Sequence, residues 1–401
     1  MSFIAVALAC LLVIGLLERR RHQRNIDAIP LRINVNGTRG KSTVTRLITG
    51  ALAEAGKRTV GKTTGSAARL IFSDRDEEQP LIRRLEGPNI REQRLVVKQA
   101  AARGTEILVS ECMAVLPDYQ VAFQRYLLQA NVGLITNVLE DHLLELGPTL
   151  DEIAEAYTVT IPYRGTLILA EGPYTDYFAE VARRRHTAVI VARSERVSAD
   201  YLQQFDYLVL PEHVALALAV SDIVGIDEHI ALRGMRHAHP DPYATRILPL
   251  GPAESPAYFV NGFAANDPTS TLAIWRHVVN TGYASPHLTA VINCRGDRFD
   301  RTKQFVRDVL PALPADTVAA IGQLTNPVVD AYEHGRLNCD RLLNLEGMSP
   351  DEVYAAVTEA LEDRVIFGVG NIHGAGVPLV ERLSERSRAY RATLGGARVR
   401  Q

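Results

Sequence analysis

The stretch Asn36-Gly37-Thr38-Arg39-Gly40-Lys41-Ser42-Thr43 leaves few folds open to this chain. Before it, Leu31-Arg32-Ile33-Asn34-Val35 reads as a short buried strand. After it, Val44, Leu47, Ile48, Ala51, Leu52 and Ala55 recur at the spacing of one helix face, and Gly56 is a natural stop. Strand, glycine turn and helix is the setting of a phosphate-binding loop. Gly37 and Gly40 allow backbone N–H groups to turn toward an anion. The helix N-terminus adds partial positive charge, Lys41 adds a full one, and Ser42 offers a hydroxyl to Mg2+. The strict pattern wants a further Gly where Val35 stands, so the match is to the shorter G-T-x-G-K-[ST]-T variant. A plain strand-to-helix turn would leave the Gly-Lys-Ser-Thr run at the helix start without a reason.

The 401 residues leave room for two to three domains and a sizeable core. Hydrophobic content of 47% with 22% charged residues is ordinary for a globular enzyme, and a net charge of −2 gives no pull toward nucleic acid or anionic lipid. Cys10, Cys112, Cys294 and Cys339 are scattered without a CxxC pair, which fits a reduced, cytosolic body. The N-terminus differs. Phe3 to Leu17 carries no charge, and Glu18, Arg19, Arg20, Arg21 and Arg24 follow. Basic residues after the apolar run, with no cleavage site, predict an uncleaved anchor over 1–24 with the body in the cytoplasm. The run is short for a span, so a buried or interfacial helix is the alternative.

Short apolar runs then alternate with helix-like segments: 106–110, 132–136, 165–169, 187–191 and 207–210. Continuous rather than alternating hydrophobicity predicts strands covered on both faces, hence a doubly wound parallel sheet over 25–238. After His237-Ala238-His239-Pro240-Asp241-Pro242 the rhythm restarts at 258–260, 288–292, 318–321 and 365–369, which predicts a smaller Rossmann-like domain over 239–383. Residues 384–401 carry Arg386, Arg388, Arg391, Arg398 and Arg400 and read as a frayed basic tail.

Ligands of parallel sheets gather at the carboxyl ends of strands. Glu111 follows the 106–110 strand, and Thr136-Asn137 closes the next, with Glu140-Asp141-His142 shortly after. Mg2+ takes oxygen ligands, which suits Glu111, and His142 could hold a second ion. A strand-end ion pair for Glu111 and a structural histidine are the alternatives. The cluster Arg83, Arg84, Arg91 and Arg94 suits a polycarboxylate, since guanidinium pairs carboxylate in a fork; a solvated basic loop is the alternative.

These motifs carry a resemblance. Gly37-Thr38-x-Gly40-Lys41-Ser42-Thr43, then Ser110-Glu111, then Thr136-Asn137-(x)3-Asp141-His142-Leu143 resembles the central domain of Mur ligases and folylpolyglutamate synthases over residues 32 to about 235. Asn261–Ser270, Asn293–Arg301 and Gly368–Gly374 resemble that superfamily's D-x-A-H-N-P-x-S, G-G-x-R-D-x-x-K and G-x-G-x-H segments. Within it the chain is similar, over nearly its whole length, to the ligase subunit of poly-γ-glutamate synthases. The resemblance implies ATP bound by Gly37, Thr38, Arg39, Gly40, Lys41, Ser42, Thr43 and Asn137, with Arg295 and Asp297 from the second domain. It implies Mg2+, or Mn2+, on Ser42, Glu111 and His142, and catalysis by Lys41, Glu111, His142 and Arg298. Asn266 joins the arginines as a candidate substrate contact.

Departures are visible too. No nucleotide-sugar domain precedes the loop, which argues against a UDP-sugar substrate. Glu155–Thr160 lacks the superfamily's carbamylated Lys, His213 and Leu216 stand where adenine-side Asn residues are common, and Ala265 replaces a His. The implied activity is an ATP-dependent acid–amino acid ligase that extends poly-γ-glutamate at the inner membrane face, releasing ADP and phosphate. Its implied partners are glutamate, the polymer, other membrane subunits and a second copy of the chain, and no nucleic acid. A membrane-anchored P-loop switch and a Mur- or folylpolyglutamate-type ligase for another acid remain as alternatives.

Overall fold

Runs of β-branched and aliphatic residues become the inner strands of two sheets. The computed structural model describes residues 2–398 except 65–67, 83–88, 203, 206, 242–243, 252–254, 256, 264, 266, 281–282 and 284. The chain divides into two units, residues 1–205 with 209–242, and residues 206–208 with 243–401.

The first unit runs α1 (Ser2–Asp27), β1 (Leu31–Asn36), α2 (Lys41–Glu54), β2 (Thr59–Lys62), β3 (Arg69–Phe72), β4 (Gln79–Pro80), α3 (Glu92–Ala102), β5 (Ile107–Glu111) and α4 (Pro117–Ala122), which continues into a π-helical turn (Phe123–Leu128). Then come β6 (Val132–Ile135), α5 (Leu143–Leu146), α6 (Leu150–Thr158), β7 (Thr166–Ala170), α7 (Thr175–Arg184), β8 (Ala188–Ala192), α8 (Ala199–Leu202), α9 (Pro211–Val224) and α10 (Glu228–His237). The sheet order is β4-β3-β2-β5-β1-β6-β7-β8, parallel from β2 to β8, with β3 and β4 added antiparallel. Helix α2 packs on β1, β2 and β5 and against α9 and α10. Ile26, Val96, Val97, Leu108 and Phe123 form a cluster with β2 and β3, and Ile153, Tyr157, Phe178 and Ala182 cover β6 and β7. In the register Val35 lies beside Glu111 and Asn36 beside Ile135, so the candidate residues share one carboxyl edge.

Three expectations change. The run 207–210 is no strand: Leu210 caps α9 in an extended conformation before Pro211, which disfavours anything else at that position. The strands β2 to β4 were not anticipated: Gly61 and Lys62 interrupt the apolar signal of β2, and β3 and β4 are only four and two residues long. The third change concerns the anchor. No described helix is long and apolar enough to cross a membrane. The apolar run is the first part of α1 and rises only about 22 Å at 1.5 Å per residue, against a hydrocarbon core of about 30 Å. The same helix continues into the body, where Ile26 is fully buried and the His22 ring lies 3.1 Å from Leu127 O.

The second unit runs β9 (Ile247–Pro249), β10 (Ala257–Asn261), α11 (Pro268–Asn280), β11 (His287–Cys294), α12 (Phe299–Asp308), β12 (Thr317–Gly322), α13 (Asn326–Glu333), β13 (Arg341–Glu346), α14 (Pro350–Val357), β14 (Arg364–Gly370) and α15 (Gly376–Arg398). Its order is β13-β12-β11-β14-β10-β9, parallel except for β9. The edge strand β13 escaped the sequence because Arg341, Asn344 and Glu346 break its apolar run and it stays partly exposed. The expected frayed tail is helical through Arg398. Leu383 and Ser387 are buried, and Arg386 donates to Leu250 O at 3.1 Å.

Candidate active site

The loop between β1 and α2 is held in its turn from below. Gly37 has φ +118° and Gly40 has φ +81°, which side-chain-bearing residues rarely adopt. A Cβ on Gly37 would lie 2.2 Å from Thr136 Oγ1. Thr38 N donates to Asn137 O at 3.1 Å and Arg39 N to Asn137 Oδ1 at 2.9 Å. In return Asn137 Nδ2 (3.2 Å) and Thr136 Oγ1 (2.7 Å) donate to Arg39 O. Asn137 therefore shapes the loop. Thr38 is buried, with its hydroxyl 3.1 Å from Tyr157 OH and bonded to both the N–H and the carbonyl of Leu139. Tyr157 is set by α6, whose start carries a Thr149/Glu152 capping box. Burial pushes the Tyr157 phenol pKa up, with Thr38 opposing, so it stays a neutral hydroxyl. The stretch expected to lack a lysine thus holds Tyr157 against Thr38, and Thr160 against Asn36 at 3.2 Å.

Lys41 begins α2. Its Nζ donates to Gly37 O at 2.6 Å and Thr38 O at 2.9 Å. Burial lowers its pKa from the usual lysine value, and Glu111 opposes that shift. Ser42 Oγ donates to Glu111 Oε2 at 2.8 Å. Thr64, just past β2, gives Glu111 two more bonds, from its N–H (2.8 Å) and its hydroxyl (2.5 Å). Glu111 is only 3% exposed, so a buried carboxylate is kept by three donors. Beside it Lys62 is fully buried, 3.4 Å from Glu92 and 6.0 Å from the Phe123 ring centroid. Burial lowers its pKa most, with Glu92 and Glu111 opposing. Thr64 and Lys62 were missed in the sequence. The strand-end rule would have found both had 59–62 been read as a strand.

Other candidates stand elsewhere. Arg39 pairs with Asp141 at 3.5 Å. His142 is half exposed, takes φ +49°, and faces Glu145 (3.7 Å) and Asp141 (4.0 Å). No cluster of three or more His, Cys, Asp or Glu side chains is gathered for a metal among the described residues. Arg94 pairs with Glu18 of α1 at 3.4 Å, and Arg91 is exposed at the N-cap of α3. Arg83, Arg84 and Asn266 lie outside the described residues. In the second unit, Arg295 and Asp297 form a two-bond pair at 2.9 and 2.7 Å, and Arg298 is exposed at the start of α12. There Asn293 Nδ2 donates to Asn371 O (2.5 Å) and His373 O (2.9 Å), tying the carboxyl ends of β11 and β14 together. Arg301 Nη1 donates to Asn371 Oδ1 at 2.8 Å.

The Mur ligase middle domain family matches residues 35–237, and the poly-gamma-glutamate synthase CapB C-terminal domain family matches residues 247–386. PGA synthase CapB of Bacillus subtilis (strain 168) is 53% identical over 96% of this chain and 98% of its own. The chain belongs to the CapB family of Mur-type ligases. Capsule biosynthesis protein CapB of Bacillus anthracis, 54% identical over 95% of this chain and 82% of its own, is a second such relative. A folylpolyglutamate synthase/dihydrofolate synthase from Yersinia pestis, solved with AMPPNP and a Mn ion, shares the fold. Its TM-score is 0.64 at 14% identity, over 91% of this chain and 92% of that one. As a CapB-family chain this protein is an ATP-dependent amide ligase. The phosphate loop and Glu111 lie within the part matched by the Mur ligase middle domain.

Proposed function

We propose that this chain joins glutamate units into poly-γ-glutamate through an acyl phosphate. The observation that carries the reading is the phosphate loop with Lys41, Ser42, Glu111 and Thr64 at one strand edge, in a chain related over its length to PGA synthase CapB. A carboxylate does not react with an amine at useful rates. A substrate carboxylate oxygen would attack the γ-phosphorus, the bond to the β-phosphate oxygen would break, and ADP would leave. The amine nitrogen of the next glutamate would then attack the acyl carbon. The new C–N bond forms, the C–O bond to phosphate breaks, and the amine proton passes to solvent or the leaving phosphate. Lys41 offers charge to the β- and γ-phosphates. Ser42, Glu111 and Thr64 present only oxygen atoms, a set that suits Mg2+ or Mn2+, which bind one or two carboxylates plus substrate phosphates. The metal would neutralise phosphate charge when bound. Arg298, with Arg295 and Asp297, is proposed to act late, on the acyl phosphate.

The test is the nucleotide product. Glutamate should stimulate release of ADP and phosphate, and hydroxylamine should trap a glutamyl hydroxamate. Arg298→Ala should suppress trapping far more than it weakens ATP binding. AMP with pyrophosphate as the only products would sink the mechanism.

The proposed workplace is the cytoplasmic face of the membrane, beside other membrane subunits of a synthase and further copies of the chain. The apolar part of α1 supports this: Phe3 is 84% exposed and Leu12 67%, with Arg19, Arg20, Arg21 and Arg24 just behind. A reporter fused after Gln401 should behave as cytoplasmic in a bacterial host and sediment with membranes. Periplasmic reporter activity would overturn the orientation.

A further inference from the structure

His213 is the third residue of α9 and only 7% exposed. The backbone N–H of Leu210 points at its Nδ1, at 3.4 Å. A backbone amide only donates, so Nδ1 accepts and the proton of the neutral ring sits on Nε2. Burial lowers the ring's pKa, with Glu212 opposing, which keeps the ring neutral. No protein group among the described residues hydrogen-bonds to Nε2, which leaves that N–H open toward the phosphate loop. The ring is aimed at the phosphate loop. A Cβ built on Gly40 would lie 2.3 Å from Nε2 and 2.9 Å from Cδ2. Gly40 is the N-cap of α2, a 14-residue helix that no side chain caps. The free N–H groups of that helix start and the imidazole N–H therefore converge on one place.

We propose that His213 Nε2–H donates to a phosphate oxygen of the nucleotide held by residues 37–43. This rests on the nucleotide reading above. The resemblance led to an expectation of adenine contacts from this segment; the direction of the ring gives it to the phosphates. His213 then supplies a neutral donor beside the charge of Lys41. It also gives a second reason for glycine at 40, since any side chain there would strike the ring.

Binding of ADP and of adenosine to the full-length chain tests this, with melting in the absence of ligand as the control for folding. His213→Leu should bind ADP about tenfold more weakly and adenosine as the wild type does. His213→Gln, whose amide can still donate, should recover most of the loss. ADP affinity of His213→Leu within about twofold of wild type, or equal losses for ADP and adenosine, overturns the proposal. Should His213→Leu fail to fold, 15N-histidine spectra of the wild type decide. The His213 Nε2–H signal, assigned by its absence in His213→Gln, should move with ADP and not with adenosine, and a signal unmoved by ADP overturns the proposal. A wild-type chain that binds no ADP at all refutes the nucleotide reading first, and this inference falls with it.

Discussion

Lys41→Ala should lower ATP turnover by at least about a thousandfold, the scale of losing a preorganised charge at a transferring phosphoryl group, while the protein still folds. The side chain contributes charge rather than packing. Among the described residues its ammonium bonds to Gly37 O and Thr38 O, both within the loop itself. Losing those two bonds costs about 1 kcal/mol each. Relief of a partly desolvated cation offsets that cost, because burial already disfavours the charged form. Steady-state ADP release and a melting curve on the same sample check both halves. Turnover within a few-fold of wild type would remove the phosphate loop from the mechanism. A collapsed melting curve would show that Lys41 holds the loop together instead.

Glu111→Gln should be nearly as damaging, for a different reason. Every hydrogen-bond partner of this carboxylate among the described residues is a donor: Ser42 Oγ, Thr64 N and Thr64 Oγ1. A carboxylate accepts at both oxygens, whereas a carboxamide must turn an NH2 toward one of these donors. The buried clash should cost about 1–3 kcal/mol of stability. It also removes a negative charge bonded to Ser42, so the Mg2+ concentration for half-maximal activity should rise and kcat should fall about a hundredfold. A Glu111→Gln protein with an unchanged Mg2+ requirement would show that the carboxylate only braces Thr64 and Ser42. The same titration with His142→Ala and the double variant asks whether that half-exposed ring shares the centre. A double loss smaller than the sum of the singles joins them, and strict additivity separates them.

Much of the site was legible because a phosphate loop is local. Gly37, Gly40, Lys41 and Ser42 lie within six residues of one another, and their roles follow from backbone freedom, helix polarity and charge at that one turn. Glu111 was legible by a second local rule, since a polar residue just past a buried strand falls at the carboxyl edge. Thr64 and Lys62 were not. Their strand carries a glycine and a charge, and its place in the sheet comes from pairing with β5, far along the chain. The anchor shows the converse. The apolar run was plain in the sequence, but how far α1 continues into the body depends on the burial of Ile26 and Ile29 in the cluster with β2, β3 and β5.

The sequence by itself determined the elements whose signal is periodic or adjacent: the phosphate loop, the inner parallel strands, and a second unit in which the same rhythm restarts. Tertiary structure alone decided which side chains meet. Three donors converge on Glu111 from β2's end and α2, Tyr157 reaches Thr38 from α6, and His213 comes from α9 to lie against Gly40. The physical reason is range. Helix, strand and turn preferences act over a few residues, whereas a buried hydrogen bond exists only where packing brings two distant segments within about 3 Å.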